Sequence, residues 1–275
     1  MDGILIINKP IGKTSFDIVR DVRKEYNTKK VGHIGTLDPM ASGVLPILIG
    51  QATKLSNYLM EHDKEYIATL HLGVQTDTGD SEGNVIKEQS VDEVLYENIN
   101  SVLNSFVGES TQIPPMYSAL KVNGKKLYEL AREGKTIERA PRKIIITSIE
   151  LLDVNKNNAE ITFKVNCSKG TYIRTLCEDI ADKLGTCGYM KSLNRTRVGN
   201  FLIEDAGKFI ELKDIFQDIP KVNVDNIEIL KNGMSIKLKD DSLKQYSGFI
   251  NLYFKNEFIG IGKAEKGYYK RFIVC

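Results

Sequence analysis

The chain has few of the residues that build metal sites and disulfide frameworks. Its 275 residues include four cysteines, three histidines and no tryptophan. None of the cysteines forms a CxxC pair, and no histidine flanks them at metal-ligand spacing, which disfavours a structural zinc site and a disulfide framework. We therefore expect no metal, and we expect free thiols packed as small apolar groups. The four cysteines are Cys167, Cys177, Cys187 and Cys275.

Long apolar segments are also absent from the sequence. No apolar run approaches the roughly 18 residues that are needed to span a bilayer. The first ten residues, MDGILIINKP, lack the basic segment and the long apolar stretch of a signal peptide. We therefore expect a cytoplasmic protein that does not enter a membrane.

The chain carries almost no excess charge, with a formal net charge of +2. This small net charge says little about whether the protein binds nucleic acid, because many neutral enzymes have a similar charge. The distribution is more informative, because residues 121–143 contain eight Lys or Arg residues against three Glu residues. Such a segment can lie along phosphates, or it can be an ordinary solvated helix face. Charge alone leaves both interpretations open.

Hydrophobic periodicity predicts an α+β domain. Residues 3–8 form a short apolar run typical of a buried strand, and Thr14 offers a hydroxyl N-cap for a helix that ends near Asn27. Residues 161–167 alternate apolar and polar side chains, as a half-buried strand does. The other predicted elements are a loop at 31–43, helices at 51–61, 91–106 and 172–184, and strands at 66–72, 144–152 and 159–167. Short β-like runs after residue 236 predict a small β module.

One segment, residues 32–45, carries a lone acid among apolar residues and glycines. A desolvated carboxylate at Asp38 would have a perturbed pKa and could act as a nucleophile or a base. An Asp-Pro pair is also a common turn that caps the next element. The local chemistry by itself favours the turn.

A family resemblance reverses this preference. Residues 32–45, GHIGTLDPMASGVL, meet every fixed position of G-H-x-G-x-L-D-P-x-A-x-G-x-L, the catalytic motif of the TruB family of pseudouridine synthases. Four further stretches resemble the family in the same order, over roughly residues 3–215. They are LIINKP with GKTS (5–15), KEY with GVQTDT (64–78), IPPMYSALK (113–121) and GTYIR (170–174).

The resemblance implies a role for several residues. Asp38 matches the catalytic aspartate, which would attack the target uridine covalently. Tyr66 matches the residue that stacks on the flipped base and is placed for proton transfer, although its alternation also fits a core aromatic. Arg174 matches the partner of the catalytic carboxylate, and such a pair would keep Asp38 ionised in a dry pocket.

The resemblance also predicts the substrate-binding residues. Tyr172 and Leu193 align with residues that line the base pocket, and His33 aligns with the histidine that the family uses against the RNA as the nucleotide flips. Taken singly, a Leu or a His is more often structural. In the family the central insertion reaches over the RNA loop, so its basic residues are expected on the RNA backbone. They are Lys121, Lys125, Lys126 and Arg132.

The implied architecture is a pseudouridine-synthase core, with a mixed or antiparallel central sheet flanked by helices, and a small PUA-like β module. We predict a catalytic domain at 1–215 with an RNA-binding insertion at about 110–143, a linker at 216–234, and the module at 235–275. The implied activity is conversion of uridine-55 in the T-loop of tRNA to pseudouridine by a monomer. This isomerisation needs no redox change and no energy input, so no cofactor is expected.

Three other functions fit the sequence less well. A tRNA-binding folding chaperone on the same scaffold would not need Asp38, Tyr66 and Arg174 together. A guide-dependent enzyme acting on ribosomal RNA would carry long extensions and a fuller PUA domain, which this chain lacks. A glycosidase-like hydrolase would need a second positioned carboxylate.

Overall fold

The computed structural model describes residues 1–122 and 124–274, which form a large ten-stranded sheet, a small five-stranded sheet, two two-stranded sheets and packed helices. The strands are β1 (Gly3–Lys9), β2 (Val31–His33), β3 (Ser42–Ile49), β4 (Lys64–Leu72), β5 (Val74–Thr76), β6 (Val85–Glu88), β7 (Gly108–Gln112), β8 (Lys121–Val122), β9 (Lys125–Lys126), β10 (Arg142–Asn155), β11 (Glu160–Cys167), β12 (Gly188–Val198), β13 (Phe201–Leu202), β14 (Phe209–Glu211), β15 (Lys221–Asn223), β16 (Ile236–Lys237), β17 (Gly248–Phe254), β18 (Glu257–Glu265) and β19 (Tyr268–Val274). The helices are α1 (Ser15–Glu25), α2 (Ser56–Leu59), α3 (Ile99–Asn104), α4 (Leu127–Arg132), α5 (Ile173–Lys183) and α6 (Ile227–Lys231).

The large sheet has the strand order β14-β1-β3-β12-β4-β11-β10-β7, with β2 on β3 and β13 on β12. Its pairs are antiparallel except for the short parallel pair of β12 with β3. This confirms the predicted α+β class with a mixed central sheet. The parallel pair is important for the site because it joins two strands that are distant in sequence. Strand β3 follows the loop that carries Asp38, and β12 comes much later in the chain.

Strands β4 and β11 form the centre of the sheet and show the alternation that the sequence predicts. In β4 the buried side chains are Lys64, Tyr66, Ala68, Leu70 and Leu72. The apolar members of this set pack with apolar residues of β11, α3 and α5 in the largest buried cluster. Residues two apart point to the same face of a strand, so burying that face fixes the register.

Helix α1 begins at the predicted N-cap. The Thr14 side chain accepts a hydrogen bond from the Asp17 backbone, and the Asp17 carboxylate accepts one from the Thr14 backbone at 2.8 Å. This capping box satisfies two helix-terminal donors. The helix ends at Glu25 and buries Ile18, Val19 and Val22 against β1 and β3.

Two predicted helices are shorter than expected. Residues 50–59 form a 3-10 helix followed by α2, and residues 93–104 form a 3-10 helix followed by α3. In the first case Leu55 and Leu59 are both buried, a spacing that a single α-helix would also produce. The predicted loop at 31–43 starts with β2, which pairs with β3.

The sequence pattern missed β12. Its pairing with β4 shifts register between Met190 and Ser192 and again between Arg195 and Arg197. Each irregularity adds a residue and changes which side of the strand faces the core. The buried positions therefore run 188, 190, 193, 195 and 198, which matches no period of two.

The predicted linker at 216–234 is corrected by the structure. It contains β15, which pairs in parallel with β17, and α6. Val224 and Leu230 are buried in the core of the small sheet, so the segment is folded with that sheet. The small sheet packs on the large one, because Ile261 and Ile273 belong to a buried cluster that includes Ile4.

The cysteine prediction is confirmed for Cys167, Cys177 and Cys187, which are free and buried. Burial raises the pKa of the Cys167 thiol to about 11. Cys275 lies outside the described residues. Across residues 1–122 and 124–274, no group of three or more His, Cys, Asp or Glu side chains is placed to hold a metal ion.

Candidate active site

Asp38 lies in the loop between β2 and β3, which is anchored on both sides. The Ser15 hydroxyl accepts a hydrogen bond from the Leu37 backbone at 2.8 Å. The buried Lys9 ammonium donates to the carbonyls of Lys13 and, at 3.4 Å, of Pro39. The loop is thereby tied to the turn between β1 and α1, which limits the positions that the Asp38 side chain can adopt.

Arg174, at the first turn of α5, joins three segments around Asp38. Its Nε lies 3.2 Å from Oδ2 of Asp38, and its Nη1 lies 3.3 Å from Oδ2 of Asp80. It also donates to the carbonyls of Thr78 at 3.2 Å and Tyr117 at 2.6 Å. Asp80 and Arg174 are both buried, whereas the side chain of Asp38 is 36% exposed. The Asp38 side chain is thus partly open to solvent, whereas the Arg174–Asp80 pair is enclosed.

The surroundings of Asp38 act on its pKa in opposite directions. Burial is the largest effect and raises the pKa of the carboxyl above its ordinary value, and the charge of Asp80 adds to it. The positive charges of Arg174 and Lys9 oppose this rise in the pKa. A poorly solvated carboxylate that stays next to a cation is a better nucleophile than one in bulk water.

Two phenols stand near this carboxylate. Tyr66 is 9% exposed and shares a buried cluster with Leu37 and Leu193. Tyr172 is the N-cap residue of α5, and its backbone exchanges two hydrogen bonds with the side-chain amide of Gln112, at 2.8 and 3.0 Å. Burial raises the pKa of both phenols, and the charge of Asp38 adds to the rise. Both are therefore protonated hydroxyls near neutral pH.

The structure brings together Asp38, Arg174, Tyr66, Tyr172 and Leu193. His33 ends β2, five residues before Asp38 along the same loop. Burial lowers the pKa of His33, and the charge of Arg195 lowers it further. Its imidazole is therefore neutral near pH 7 and can contact a base without adding charge.

The basic residues lie in the segment between β7 and β10. Lys121, Lys125 and Arg132 are exposed, and Lys126 is half-buried. Lys126 Nζ and the Arg132 guanidinium lie 5.2 and 5.5 Å from the centre of the Tyr128 ring. This segment is connected to the Asp38 site because the Tyr117 carbonyl accepts a hydrogen bond from Arg174.

Sequence reasoning missed two charged residues of the site. Asp80 shares Arg174 with Asp38. The only sequence signal for a role of Asp80 is its position just after the GVQTDT stretch. Arg195 is 1% exposed and contacts the loop that carries Asp38, from the strand whose register shifts concealed it. No local pattern distinguishes it from the half-buried Arg197 two residues later.

The fold has solved relatives. A chain in the crystal structure of a Cbf5-Nop10-Gar1 complex superposes with a TM-score of 0.64 at 26% identity, covering 95% of this chain and 78% of that chain. A chain in the archaeal box H/ACA sRNP Nop10-Cbf5 complex matches with a TM-score of 0.62 at 24% identity over the same shares, which supports the fold alone. No helix among the residues that the structure describes is long and apolar enough to cross a membrane.

Family models define the class of enzyme. Residues 23–173 match the model described as TruB family pseudouridylate synthase (N terminal domain), and residues 174–225 match the tRNA pseudouridylate synthase B C-terminal domain. These matches place the chain among the pseudouridine synthases, which are isomerases.

Curated relatives narrow the class to one family. The protein named tRNA pseudouridine synthase B of Clostridium tetani is 46% identical, with 98% of each chain covered. The protein of that name from Clostridium kluyveri is 48% identical over 95% of each chain. The chain belongs to the TruB family of pseudouridine synthases.

Proposed function

We propose that the protein converts uridine-55 in the T-loop of tRNA to pseudouridine, with Asp38 as the covalent catalyst. The observation that carries the proposal is the position of the Asp38 carboxylate. The side chain is partly exposed, its carboxylate lies 3.2 Å from Arg174, and its charge acts on the phenols of Tyr66 and Tyr172. The curated relatives, each named tRNA pseudouridine synthase B, support tRNA as the substrate.

The reaction exchanges one glycosidic bond for another. The bond between N1 of the base and C1′ of the ribose breaks, the base turns, and a bond forms between C5 and C1′. The proton on C5 leaves and N1 gains a proton, so no electrons enter or leave overall. Asp38 would supply the electron pair of the transient covalent bond, on either the base or the ribose C1′.

The surrounding side chains would divide the remaining tasks. Tyr66 would stack on the flipped base and move a proton through its hydroxyl, while Tyr172 and Leu193 line the pocket. Arg174 would hold Asp38 ionised and oriented. A base can reach such a pocket only after leaving its stack, which favours aromatic and apolar walls, and a neutral His33 would contact the RNA as the nucleotide flips.

The exposed basic segment would hold the tRNA backbone. Lys121, Lys125, Lys126 and Arg132 lie between β7 and β10, and Arg174 connects this segment to Asp38 through the Tyr117 carbonyl. Contacts of this kind give a salt-dependent affinity that is independent of sequence. We further propose that the small C-terminal sheet is a PUA-like RNA-binding module and that the enzyme acts as a monomer.

An unmodified tRNA transcript tests the substrate and the position together. After incubation with the protein, carbodiimide-blocked primer extension should reveal a single new stop at the T-loop uridine. A transcript with cytidine at that position should show no stop, because only uridine can form the product. Modification at another uridine in either transcript would overturn the proposed target.

The rate should depend on pH through Asp38. Attack requires the carboxylate, and burial raises the pKa of Asp38 above the ordinary aspartate value of about 3.9, so the single-turnover rate constant should fall as pH decreases through that raised pKa. The measurement is the rate constant at saturating enzyme from pH 4.5 to 8, with tRNA affinity followed in parallel. A rate constant that stays level down to about pH 4.5 at constant affinity would contradict the raised pKa.

A further inference from the structure

Arg195 is the largest fully buried side chain in the part of the protein that the structure describes. It is 1% exposed, so it cannot touch the substrate. Among residues 1–122 and 124–274, no carboxylate lies within ion-pair distance of its guanidinium, and Tyr66 is the group that most favours its charged form. Burying a charge without a counter-ion costs free energy, so the hydrogen bonds of the Arg195 guanidinium must compensate for its lost solvation.

The hydrogen bonds of Arg195 reach both ends of the catalytic loop. Its Nη2 donates to the Gly35 carbonyl at 3.0 Å, before Asp38 in the chain, and its Nε donates to the Val44 carbonyl at 2.8 Å, after Asp38. One rigid guanidinium therefore spans the loop that carries the carboxylate. A planar group with fixed donors loses little freedom when it fixes two acceptors at once.

The same side chain faces Tyr66. In the sheet register Arg195 of β12 is paired with Tyr66 of β4 on one side and with Gly43 of β3 on the other. The Arg195 charge lies close enough to the phenol to lower the pKa of Tyr66 against the larger effect of burial. Arg195 thus connects the strand that bears the phenol with the loop that bears the carboxylate.

Two glycines fit the loop closely around this arginine. A Cβ added at Gly35 would lie 3.1 Å from Nη1 of Arg195, and one at Gly43 would lie 2.2 Å from the Arg195 carbonyl oxygen. Both glycines have positive φ, +73° and +111°, which side chains rarely adopt. The loop conformation and the arginine are therefore packed as one unit.

We infer that Arg195 is a positioning residue that fixes Asp38 and the Tyr66 hydroxyl relative to each other. This inference rests on the proposed function, in which those two groups act on the same nucleotide. The arginine acts through the Gly35 and Val44 carbonyls and through the phenol, and it has no contact with RNA. Its loss should therefore slow the chemical step and leave tRNA affinity unchanged.

The test compares Arg195→Lys and Arg195→Met with Arg197→Lys and Arg197→Met. Arg197 is a matched control, since it lies on the same strand but donates to the Gly199 carbonyl and the Asn166 side chain, away from the loop. Three quantities are measured for each variant: the single-turnover rate constant on unmodified tRNA, the tRNA Kd, and the free energy of unfolding in urea.

Arg195→Lys keeps the charge but cannot span both carbonyls, so the rate constant should fall about 10²-fold with Kd within about threefold, as for a catalytic group displaced by about 1 Å. Arg195→Met should be slower than Arg195→Lys, and both Arg197 variants should stay within about threefold in rate. If Arg195→Met does not fold, the Lys variant alone decides the question.

Two outcomes would overturn the inference. One is a rate constant for Arg195→Lys that equals that of the unchanged protein. The other is a lower free energy of unfolding and a smaller reacting fraction, with an unchanged rate constant in the fraction that reacts, which is the signature of a purely structural arginine. Failure of the proposed function would look different, since Asp38→Asn would then retain activity whatever the Arg195 variants did.

Discussion

Arg174→Met should lower the single-turnover rate constant by roughly 10³-fold, because a buried charge network would lose the cation that Asp38 and Asp80 share. The substitution removes the ion pairs to Asp38 and Asp80 and leaves both carboxylates close together in a poorly solvated site. Arg174 is also the neighbour that most lowers the pKa of Asp38, so its loss should raise that pKa further. The acid limb of the pH–rate profile should then move to higher pH.

Two control variants separate charge from geometry at this position. Arg174→Lys retains a cation but cannot donate to Asp38 and to the Tyr117 and Thr78 carbonyls together, so its rate constant should lie between those of the Met variant and the unchanged protein. Lys183→Met alters an exposed lysine at the other end of α5, which bonds Ser105, and should leave the rate unchanged. A rate constant for Arg174→Met within tenfold of the unchanged protein would remove Arg174 from the catalytic machinery.

Local rules predicted the elements whose pattern is uninterrupted. The period-two alternation of β4 and β11 and the capping box of α1 depend on residues close together in the chain, and each appears as expected. Strand β12 was not predicted, also for a local reason, because two register shifts interrupt its alternation of buried and exposed residues. The prediction of a linker at 216–234 was wrong because the burial of this segment depends on pairing with β17, a later strand.

The site required information that no local pattern contains. Asp38 is a plausible turn residue on its own, and Arg174 is an unremarked basic residue in a helix. Their contact arises only when the sheet places α5 against the loop between β2 and β3. The pairing of Arg174 with Asp38 could be predicted only because the family motifs imply it. Asp80 and Arg195 had no such motif support, so their places at the site emerged only from the structure.

Asp38→Asn should abolish pseudouridine formation, with a loss of at least about 10⁴-fold, as expected when a covalent catalyst is removed. The amide is nearly isosteric, and the backbone contacts of the loop, such as the hydrogen bond from Ala41 to the Asp38 carbonyl, do not involve the changed atoms. The loop should therefore keep its shape. Affinity for tRNA should stay within about threefold, since the basic segment between β7 and β10 is unaltered.

The matched control is Asp153→Asn, the same chemical change at an exposed aspartate of β10. Its rate constant and affinity should equal those of the unchanged protein. If Asp38→Asn and Asp153→Asn both lost activity, the loss would come from the way the variant proteins were prepared and not from removal of the Asp38 carboxylate.

The most direct measurement is the yield of pseudouridine per molecule of unmodified tRNA with Asp38→Asn in excess over the RNA, alongside the tRNA Kd of the same preparation. We expect no pseudouridine above the level without enzyme, together with an affinity within about threefold of that of the unchanged protein. Pseudouridine formed at the T-loop uridine by a preparation that carries only the asparagine would contradict it.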